Sequence, residues 1–370
     1  MPTIRTQLNS LTGLRFFAAM AVVLYHLRIY VPQLSDGLAV FGYGFTGVTF
    51  FFILSGFVLA WSYRSDVRSG RFYWNRFARI WPLHMLTMIA SIWIPLLSAT
   101  SSATFSAVPF VVTLTQAWIP GSPFLTSFNG VSWSLSCEAF FYLLFPLLFR
   151  KLGSHRSVAW IAGGVLVALA LVGLSLSSFA SFSVADYLLG TMPLYRLGEF
   201  VLGMCLATVM NRGWRPRFRL VHAIGLSAIS LVGLTTVSLI FMGTSGGLPV
   251  IYANLAMIPG FLAVISASAS RDLSGSSGRL ASSALVRLGQ WSFALYLVHE
   301  LVLRVVRPLI GEQPVGDALM AAVIVIFASI ALSGLLHEFV EKPAEKWLRS
   351  LRGSKMKPSA TPREVHHPGK

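Results

Sequence analysis

The chain has 370 residues, of which 55% are hydrophobic and only 11% are charged, and its formal net charge at pH 7 is +16. A mean hydropathy of +0.70 and so few charged residues exclude an ordinary soluble domain, in which about 25% of residues are charged. Apolar runs of membrane-spanning length recur along nearly the whole chain, which predicts an all-α, polytopic bundle in a lipid bilayer. The basic residues lie in short loops and at the C-terminus, so we expect them to set membrane orientation and expect no nucleic acid as a partner.

Hydropathy predicts about ten transmembrane helices. They lie near residues 11–28, 42–63, 80–98, 131–149, 157–176, 192–210, 220–242, 248–268, 288–306 and 317–337. Arginine and lysine are concentrated in every second loop, at residues 64–79, 150–156, 211–219 and 269–287, and in the tail. Because basic loops stay in the cytoplasm, this alternation predicts that both termini are cytoplasmic.

Two segments differ from the rest of the chain. The segment 99–130 is long and uncharged, and its apolar piece from Val108 to Ile119 is shorter than a membrane span. It predicts either a re-entrant or interfacial helix or an ordinary surface helix. The basic, proline-containing residues 348–370 are predicted to form a disordered cytoplasmic tail, which leaves residues 1–347 as the membrane-embedded domain.

Arg15 and His26 lie eleven residues apart within the first predicted span. Eleven residues of α-helix return almost to the starting angle, so both side chains share a face and lie about 16.5 Å apart along the axis. Ionisable residues inside an apolar segment usually face a polar interior and take part in function. The alternative is an arginine that extends to one membrane interface and an unrelated histidine near the other.

Glu138 and Tyr142 lie four residues apart in the predicted span 131–149, and this spacing makes them neighbours on one helix face. A glutamate at this depth must be protonated, paired or next to water. A carboxylate that reaches a histidine orients the imidazole and stabilises its protonated form, so we predict that Glu138 orients His26. The alternative is a protonated glutamate that is hydrogen-bonded to the backbone.

Two further pairs of polar residues lie inside predicted spans. Arg196 and Glu199 are three residues apart, a spacing that predicts local neutralisation as an ion pair, with a substrate role as the alternative. Tyr296 and His299 share a face of the ninth span, next to Glu300. For His299 a functional role and a buried core histidine remain equal alternatives.

Arg76 and Arg79 lie three residues apart among aromatic residues at the start of the third span. This spacing allows both guanidinium groups to face one anion, and guanidinium suits phosphate through paired hydrogen bonds. The aromatic side chains between them could stack on a nucleotide base. The alternative is charge that sets topology and is held by acidic lipid head groups.

Taken in order, these segments resemble the acyltransferase 3 family of bacterial integral-membrane O-acyltransferases, from about Leu8 to Trp347. The matching segments are LTGLRFFAAMAVVLYHL, GVTFFFILSGFVLAW, RFYWNRFARIWPLH, SWSLSCEAFFYLLFP, RLGEFVLG, WSFALYLVHELV and EFVEKP. Within them, the residues expected to bind substrate or support the site are Ser55, Trp133, Tyr142, Arg196, Glu199, Tyr296 and His299.

The resemblance implies transfer of an acyl group, often acetyl, from acyl-CoA to a hydroxyl group in the bacterial inner membrane. The implied acceptors are sugars of surface polysaccharides, glycolipids, and glycosylated natural products such as macrolides. We expect Arg15, Arg76 and Arg79 to hold the donor phosphates, His26 to act as general base, and Glu138 to orient it. Acyl-CoA is then a substrate, and we expect no permanently bound cofactor and no metal.

The competing hypothesis is a transporter or flippase for a glycan or lipid-linked sugar that carries out no chemistry. Buried ionisable residues are also expected there, together with a weak internal symmetry between the halves of the chain. The sequence has no such repeat. It also has no segment that resembles the fused extracytoplasmic hydrolase-like domain of some relatives, so we expect the membrane domain to complete the transfer unaided.

Overall fold

The computed structural model describes residues 7–63, 69–98, 104–154, 158–242, 248–276, 278–311 and 314–353. Every regular element in these ranges is helical, which confirms the predicted all-α class. The α-helices are α1 Asn9–Tyr30, α2 Gly47–Ser62, α3 Ser69–Ser98, α4 Val108–Val112, α5 Ser122–Leu125, α6 Trp133–Ser154, α7 Val158–Phe179, α8 Phe182–Gly190, α9 Pro193–Asn211, α10 Leu220–Met242, α11 Val250–Leu273, α12 Ser283–Ile310, α13 Val315–Leu336 and α14 Lys342–Gly353.

Nine helical segments of the described chain are long and apolar enough to cross a membrane, which confirms a polytopic membrane protein. The predicted span 288–306 is helical but is not one of these nine. It lies in α12, which has 28 residues but carries His299, Glu300 and Arg304, and these polar side chains lower its hydropathy. All three are buried, so they face other helices rather than lipid. The cytoplasmic location of both termini stays a prediction.

Helices α1 and α12 run side by side in the same direction. Near their N-terminal ends, a side chain at Gly13 would overlap the carbonyl of Leu280, and one at Gly289 would overlap that of Thr12. Such close backbone approach is typical of small residues in membrane helices. The start of α1 is held by Asp272 at the end of α11, whose carboxylate accepts hydrogen bonds from the Ser10 amide (2.8 Å) and hydroxyl (2.6 Å).

Helices α2 and α9 also pack backbone to backbone, and two glycines make this possible. A Cβ atom at Gly56 would overlap the carbonyl oxygen of Phe200, and one at Gly203 would overlap that of Ile53. The two glycines therefore allow the backbones of LSGFVLA in α2 and GEFVLG in α9 to lie in van der Waals contact. This packing places the polar residues of α9 directly against α2.

The described part of the segment 99–130, residues 104–130, folds differently from its prediction. The apolar piece from Val108 to Ile119 is not one helix, because α4 ends at Val112 and Leu114 takes a left-handed conformation with φ of 57°. A left-handed residue cannot continue a right-handed helix. The segment folds back instead, and the buried side chains of Val111 and Phe128 pack on Met88 of α3.

Helix α14 packs against the start of α3, at the end of the bundle where α1 begins. The Trp74 indole donates a hydrogen bond to the Leu348 carbonyl (2.7 Å), and the Arg352 guanidinium donates to the Gly70 carbonyl (2.8 Å). The predicted domain boundary at residue 347 therefore lies inside a helix, and residues 348–353 are helical, with Leu348 and Arg352 hydrogen-bonded to α3. Residues 64–68 and 354–370 lie outside the described residues.

We expect Gly203→Ala to destabilise the protein by about 1–3 kcal/mol, because its methyl group must push α2 away from α9 in a close-packed core. The matched control is Gly233→Ala on the exposed face of α10, where a Cβ atom has nothing within 4 Å. Thermal unfolding of both purified variants in detergent measures the difference. A melting temperature equal to that of the wild type for Gly203→Ala would contradict the packing described here.

Candidate active site

A cavity of about 510 Å³ lies inside the bundle, and we call it the central cavity. Its volume falls in the range of about 300–1,000 Å³ that is usual for small-molecule sites. The walls come from α1, α2, α3, α6 and α12. The polar residues that line it include Arg15, Ser55, Arg76, Arg79, Ser134, Glu138, Tyr142, Ser292 and Tyr296. The fold thus brings seven of the predicted site residues, which lie on five helices, together around one cavity.

Three guanidinium groups lie at the cavity end formed by the first turns of α1 and α3, and we call Arg15, Arg76 and Arg79 the cation cluster. None of the three forms an ion pair or a hydrogen bond with another described residue. The Arg76 guanidinium instead lies 5.9 Å from the ring centroid of Tyr142. Guanidinium donors that are partly buried and not used by the protein are suited to an anion from outside it.

Glu138 lines the cavity and contacts Tyr142, as the spacing of the two residues predicts. The Tyr142 hydroxyl donates to Glu138 Oε2 at 3.2 Å and lies 3.4 Å from the Ser55 hydroxyl. The prediction that Glu138 orients His26 is wrong for this structure, because neither residue hydrogen-bonds the other. The physical reason is depth: Glu138 lines the cavity together with Arg15, and His26 lies about three turns further along α1.

Tyr296 of α12 also lines the cavity. Its hydroxyl donates to the Val131 carbonyl at 3.0 Å and accepts a hydrogen bond from the Ser134 hydroxyl at 2.9 Å. On its other side, the Tyr296 ring lies 6.0 Å from the His299 ring, measured between centroids. Tyr296 thus borders both the central cavity and His299, while neither His299 nor His26 is part of the cavity lining.

His299, not Glu138, is the side-chain partner of His26. His299 Nε2 lies 3.2 Å from His26 Nδ1, while His299 Nδ1 lies 3.1 Å from the Leu295 carbonyl oxygen and His26 Nδ1 lies 3.0 Å from that of Val22. A carbonyl only accepts, so Nδ1 of each histidine carries a proton. The single proton on His26 Nδ1 is shared between the Val22 carbonyl oxygen and His299 Nε2, which is unprotonated. This assignment leaves His26 Nε2 with a free lone pair. His299 is therefore both fully buried and in contact with His26.

Glu300 and Arg304 form a buried ion pair next to the two histidines. The sequence did not predict that this ion pair is part of the site. Glu300 Oε1 accepts from Arg304 Nη2 (2.6 Å) and the Tyr30 hydroxyl (3.0 Å), and Oε2 accepts from the Val131 amide (2.9 Å). The Glu300 carboxylate also acts electrostatically on His26. The i,i+4 spacing of an acid and a base in an apolar span is the sequence signal that could have identified this pair.

Arg196 and Glu199 form the predicted local ion pair, with 2.8 Å between Arg196 Nη1 and Glu199 Oε1. Both side chains are about 2% exposed, and neither lines the central cavity. Thr49 of α2 joins them, because its hydroxyl accepts from Arg196 Nη2 at 3.1 Å and donates to Glu199 at 3.3 Å. This geometry favours the structural role over the substrate role. Trp133 likewise does not line the cavity and packs edge-on against Phe52.

The aromatic residues around the cation cluster stack on one another. Ring centroids are 5.4 Å apart between Trp74 and Phe77 and 5.2 Å apart between Phe77 and Trp81. The Arg352 guanidinium lies 4.9 Å from the centroid of the Trp74 ring. These three rings therefore stack within the protein, and the stacking of a nucleotide base on them stays a prediction.

The fold and the site define a polytopic helical membrane protein whose internal cavity is lined by a cation cluster and by Tyr296, which lies next to a histidine pair. A sequence profile of the acyltransferase domain matches residues 8–338. The chain belongs to the acyltransferase 3 family, and it is therefore an acyltransferase of the membrane rather than a transporter.

Several curated proteins are similar to the chain. The acyltransferase MdmB of Streptomyces mycarofaciens is 35% identical over 378 residues, which cover 94% of each protein. The peptidoglycan O-acetyltransferase OatA of Listeria monocytogenes is 25% identical, and the O-acetyltransferase OatA of Staphylococcus aureus is 27% identical. The alignments cover 92% of this chain but only 56% and 57% of those two relatives. No solved structure matches the chain.

We expect Arg196→Met to lower stability by about 3 kcal/mol, because it leaves the Glu199 carboxylate buried without its counter-charge. The double variant Arg196→Met/Glu199→Leu should recover much of this loss, since it removes both charges together. Thermal unfolding of the single and double variants in detergent measures the effect. If Arg196→Met instead kept the wild-type melting temperature and lost activity, the pair would have a functional and not a structural role.

Proposed function

We propose that the protein is an O-acyltransferase that moves an acyl group, acetyl in the first instance, from acyl-CoA to a hydroxyl of a sugar-containing acceptor. The observation that carries the proposal is the central cavity, which joins a cation cluster without direct ion pairs to Tyr296, next to His299 and His26. The cation cluster suits an anion, and the histidines that can supply a base lie next to Tyr296, outside the cavity lining. An acyl-CoA donor has this same division, with an anionic nucleotide at one end and an uncharged thioester at the other.

The donor is proposed to bind with its phosphates at the cation cluster, where Arg15, Arg76 and Arg79 offer charge-assisted hydrogen bonds. Its uncharged arm would follow the cavity wall, which is apolar except for groups such as Ser55 and Glu138. These groups can hydrogen-bond the two amides of the arm. In the predicted topology, the cation cluster faces the cytoplasm, where acyl-CoA is made.

The acyl transfer is proposed to use His26 as general base. His26 Nε2 takes the proton of the acceptor hydroxyl while its oxygen attacks the thioester carbonyl, and the thiolate of coenzyme A leaves and takes up that proton. His299 Nε2 accepts the hydrogen bond from His26 Nδ1 and thereby supports the imidazolium, with Glu300 as a nearby negative charge. His299 is thus the positioning residue, and Glu138 is assigned to donor binding.

The acceptor is proposed to be a carbohydrate or a glycosylated small molecule. The support comes from relatives, because OatA of Listeria monocytogenes is named a peptidoglycan O-acetyltransferase, and peptidoglycan is a polymer of sugars. In the predicted topology, His26 lies in the outer half of the bacterial inner membrane. This position favours an acceptor that arrives from the outer side and meets a donor that arrives from the cytoplasm.

We expect His26→Ala to lower acetyl transfer by about 10²–10⁴-fold, because the acceptor hydroxyl loses its general base. The measurement is release of coenzyme A from radiolabelled acetyl-CoA by purified protein, with longer acyl-CoAs and methyl glycosides as further substrates. His222→Ala on the exposed face of α10 is the matched control, and it should keep wild-type activity. Undiminished transfer by folded His26→Ala would rule out this base, and label retained on the wild type would favour an acyl-enzyme over direct transfer.

We expect Arg76→Gln and Arg79→Gln to raise KM for acetyl-CoA about tenfold or more, because each removes a charge-assisted hydrogen bond to phosphate. The same variants should leave KM for acetyl-N-acetylcysteamine unchanged, since this thioester has no phosphate. The control is Arg71→Gln, an exposed arginine at the start of the same helix. An equal rise in KM for both thioesters would mean that these arginines support the fold and not the donor phosphates.

A further inference from the structure

His26 opens to a space outside the central cavity. Its side chain is partly exposed, although it is not part of the cavity lining. The Nε2 atom of His26 has no hydrogen-bond partner in the described chain and is not buried. The cation cluster lies beside the first turns of α1, whereas His26 lies in the last two turns of that helix. A second substrate can therefore reach this nitrogen without passing the arginines that are proposed to hold the donor phosphates.

Two aromatic side chains lie next to His26, and we call Tyr25 and Phe45 the aromatic pair. The Tyr25 ring lies 5.2 Å from the His26 ring, and the Phe45 ring lies 5.3 Å from the Tyr25 ring, measured between centroids. Both members of the pair are partly exposed. The Tyr25 hydroxyl forms no hydrogen bond with any residue that the structure describes. The three rings form a row that ends at the proposed general base.

The aromatic pair is held on a rigid support. Phe45 belongs to the short helical segment Ala39–Thr46, which connects α1 to α2. This segment packs on the backbone of α1, because a Cβ atom at Gly44 would overlap the carbonyl oxygen of Ala21. The Phe45 ring also lies 6.1 Å from the ring of the buried Tyr43. Close backbone packing fixes the two rings relative to His26, as a preformed binding site requires.

A position near the membrane interface does not by itself explain the aromatic pair. Tyrosine is common at interfaces, where its ring meets the lipid head groups. On α1, however, the side chains that face away from the bundle are Phe17 and Ile29, each 49% exposed. Tyr25 instead packs its ring on those of His26 and Phe45. A role in substrate binding accounts for this contact with the base, which an interfacial anchor does not need.

We infer that the aromatic pair is the platform on which the sugar ring of the acceptor stacks, so that one of its hydroxyl groups faces His26. The inference rests on the proposed function. A sugar ring presents C–H groups on one face, and these groups pack well on the electron-rich face of an aromatic ring. Its hydroxyl groups project from the rim, where His26 Nε2 can accept from one and the Tyr25 hydroxyl can hydrogen-bond another.

Loss of either ring should therefore weaken binding of the acceptor and not of the donor. We expect Tyr25→Leu and Phe45→Leu each to raise KM for a methyl glycoside about three- to tenfold, and to leave KM for acetyl-CoA unchanged. Tyr25→Phe keeps the ring and should stay within about threefold of the wild type. Phe17→Leu is the matched control, because Phe17 is an exposed aromatic residue of the same helix, and it should change neither KM.

The measurement is release of coenzyme A by the purified full-length variants at varied methyl glucoside or methyl rhamnoside and at varied acetyl-CoA, with thermal unfolding as the test of folding. The two leucine variants lie on different segments, so each tests the platform independently. A rise in KM for the glycoside alone would support the inference. An unchanged KM for the glycoside in the folded leucine variants, or equal rises for both substrates, would overturn it while the proposed function stands. If the folded wild type used no methyl glycoside, the proposed acceptor class would fail and the inference with it.

Discussion

The structure depends on how polar groups are satisfied inside an apolar bundle. A charge in this environment is costly unless another group of the protein, water or a ligand compensates for it. Two buried ion pairs are compensated from within the protein, Arg196 with Glu199 and Glu300 with Arg304. The cation cluster is not compensated in this way by any described residue within hydrogen-bond reach. This contrast separates the charges that hold the helices together from those that are available to a substrate.

The compensated pairs also connect helices that are distant in sequence. Thr49 links α2 to the pair on α9, and Tyr30 and Val131 link α1 and the start of α6 to the pair on α12. Close backbone contacts at glycines bring the same helices together. The two kinds of contact produce rigid walls, and a site held on rigid helices keeps its geometry better than one on loops.

The arrangement along α1 suits a reaction between substrates from two sides of a membrane. Arg15 faces the cavity near the start of the helix, and His26 lies more than three turns further on, beside His299. A donor with a long flexible arm can leave its charged end at one level and deliver an uncharged reacting group at the other. For the proposed acyl-CoA donor, the charge of the nucleotide then never has to enter the apolar interior.

The 3.6-residue period of the α-helix made a large part of the structure predictable from the sequence alone. The helical class, the common face of Arg15 and His26, the contact of Glu138 with Tyr142 and the pairing of Arg196 with Glu199 all follow from 3.6 residues per turn. These features depend only on neighbours within a few turns of one helix. A contact between two residues of one helix stays the same wherever that helix lies in the bundle.

Only the tertiary structure decided which helix faces meet. His26 contacts His299, which is 273 residues away in sequence, and it does not contact Glu138, which lies at the depth of Arg15. The break of the segment 99–130 at Leu114 and the packing of α14 on α3 were likewise not predictable from the sequence pattern. The rotation and depth of each helix are set by close packing at sites such as Gly56 and Gly203. Such packing depends on the shapes of two distant segments together, which the pattern of either segment alone does not contain.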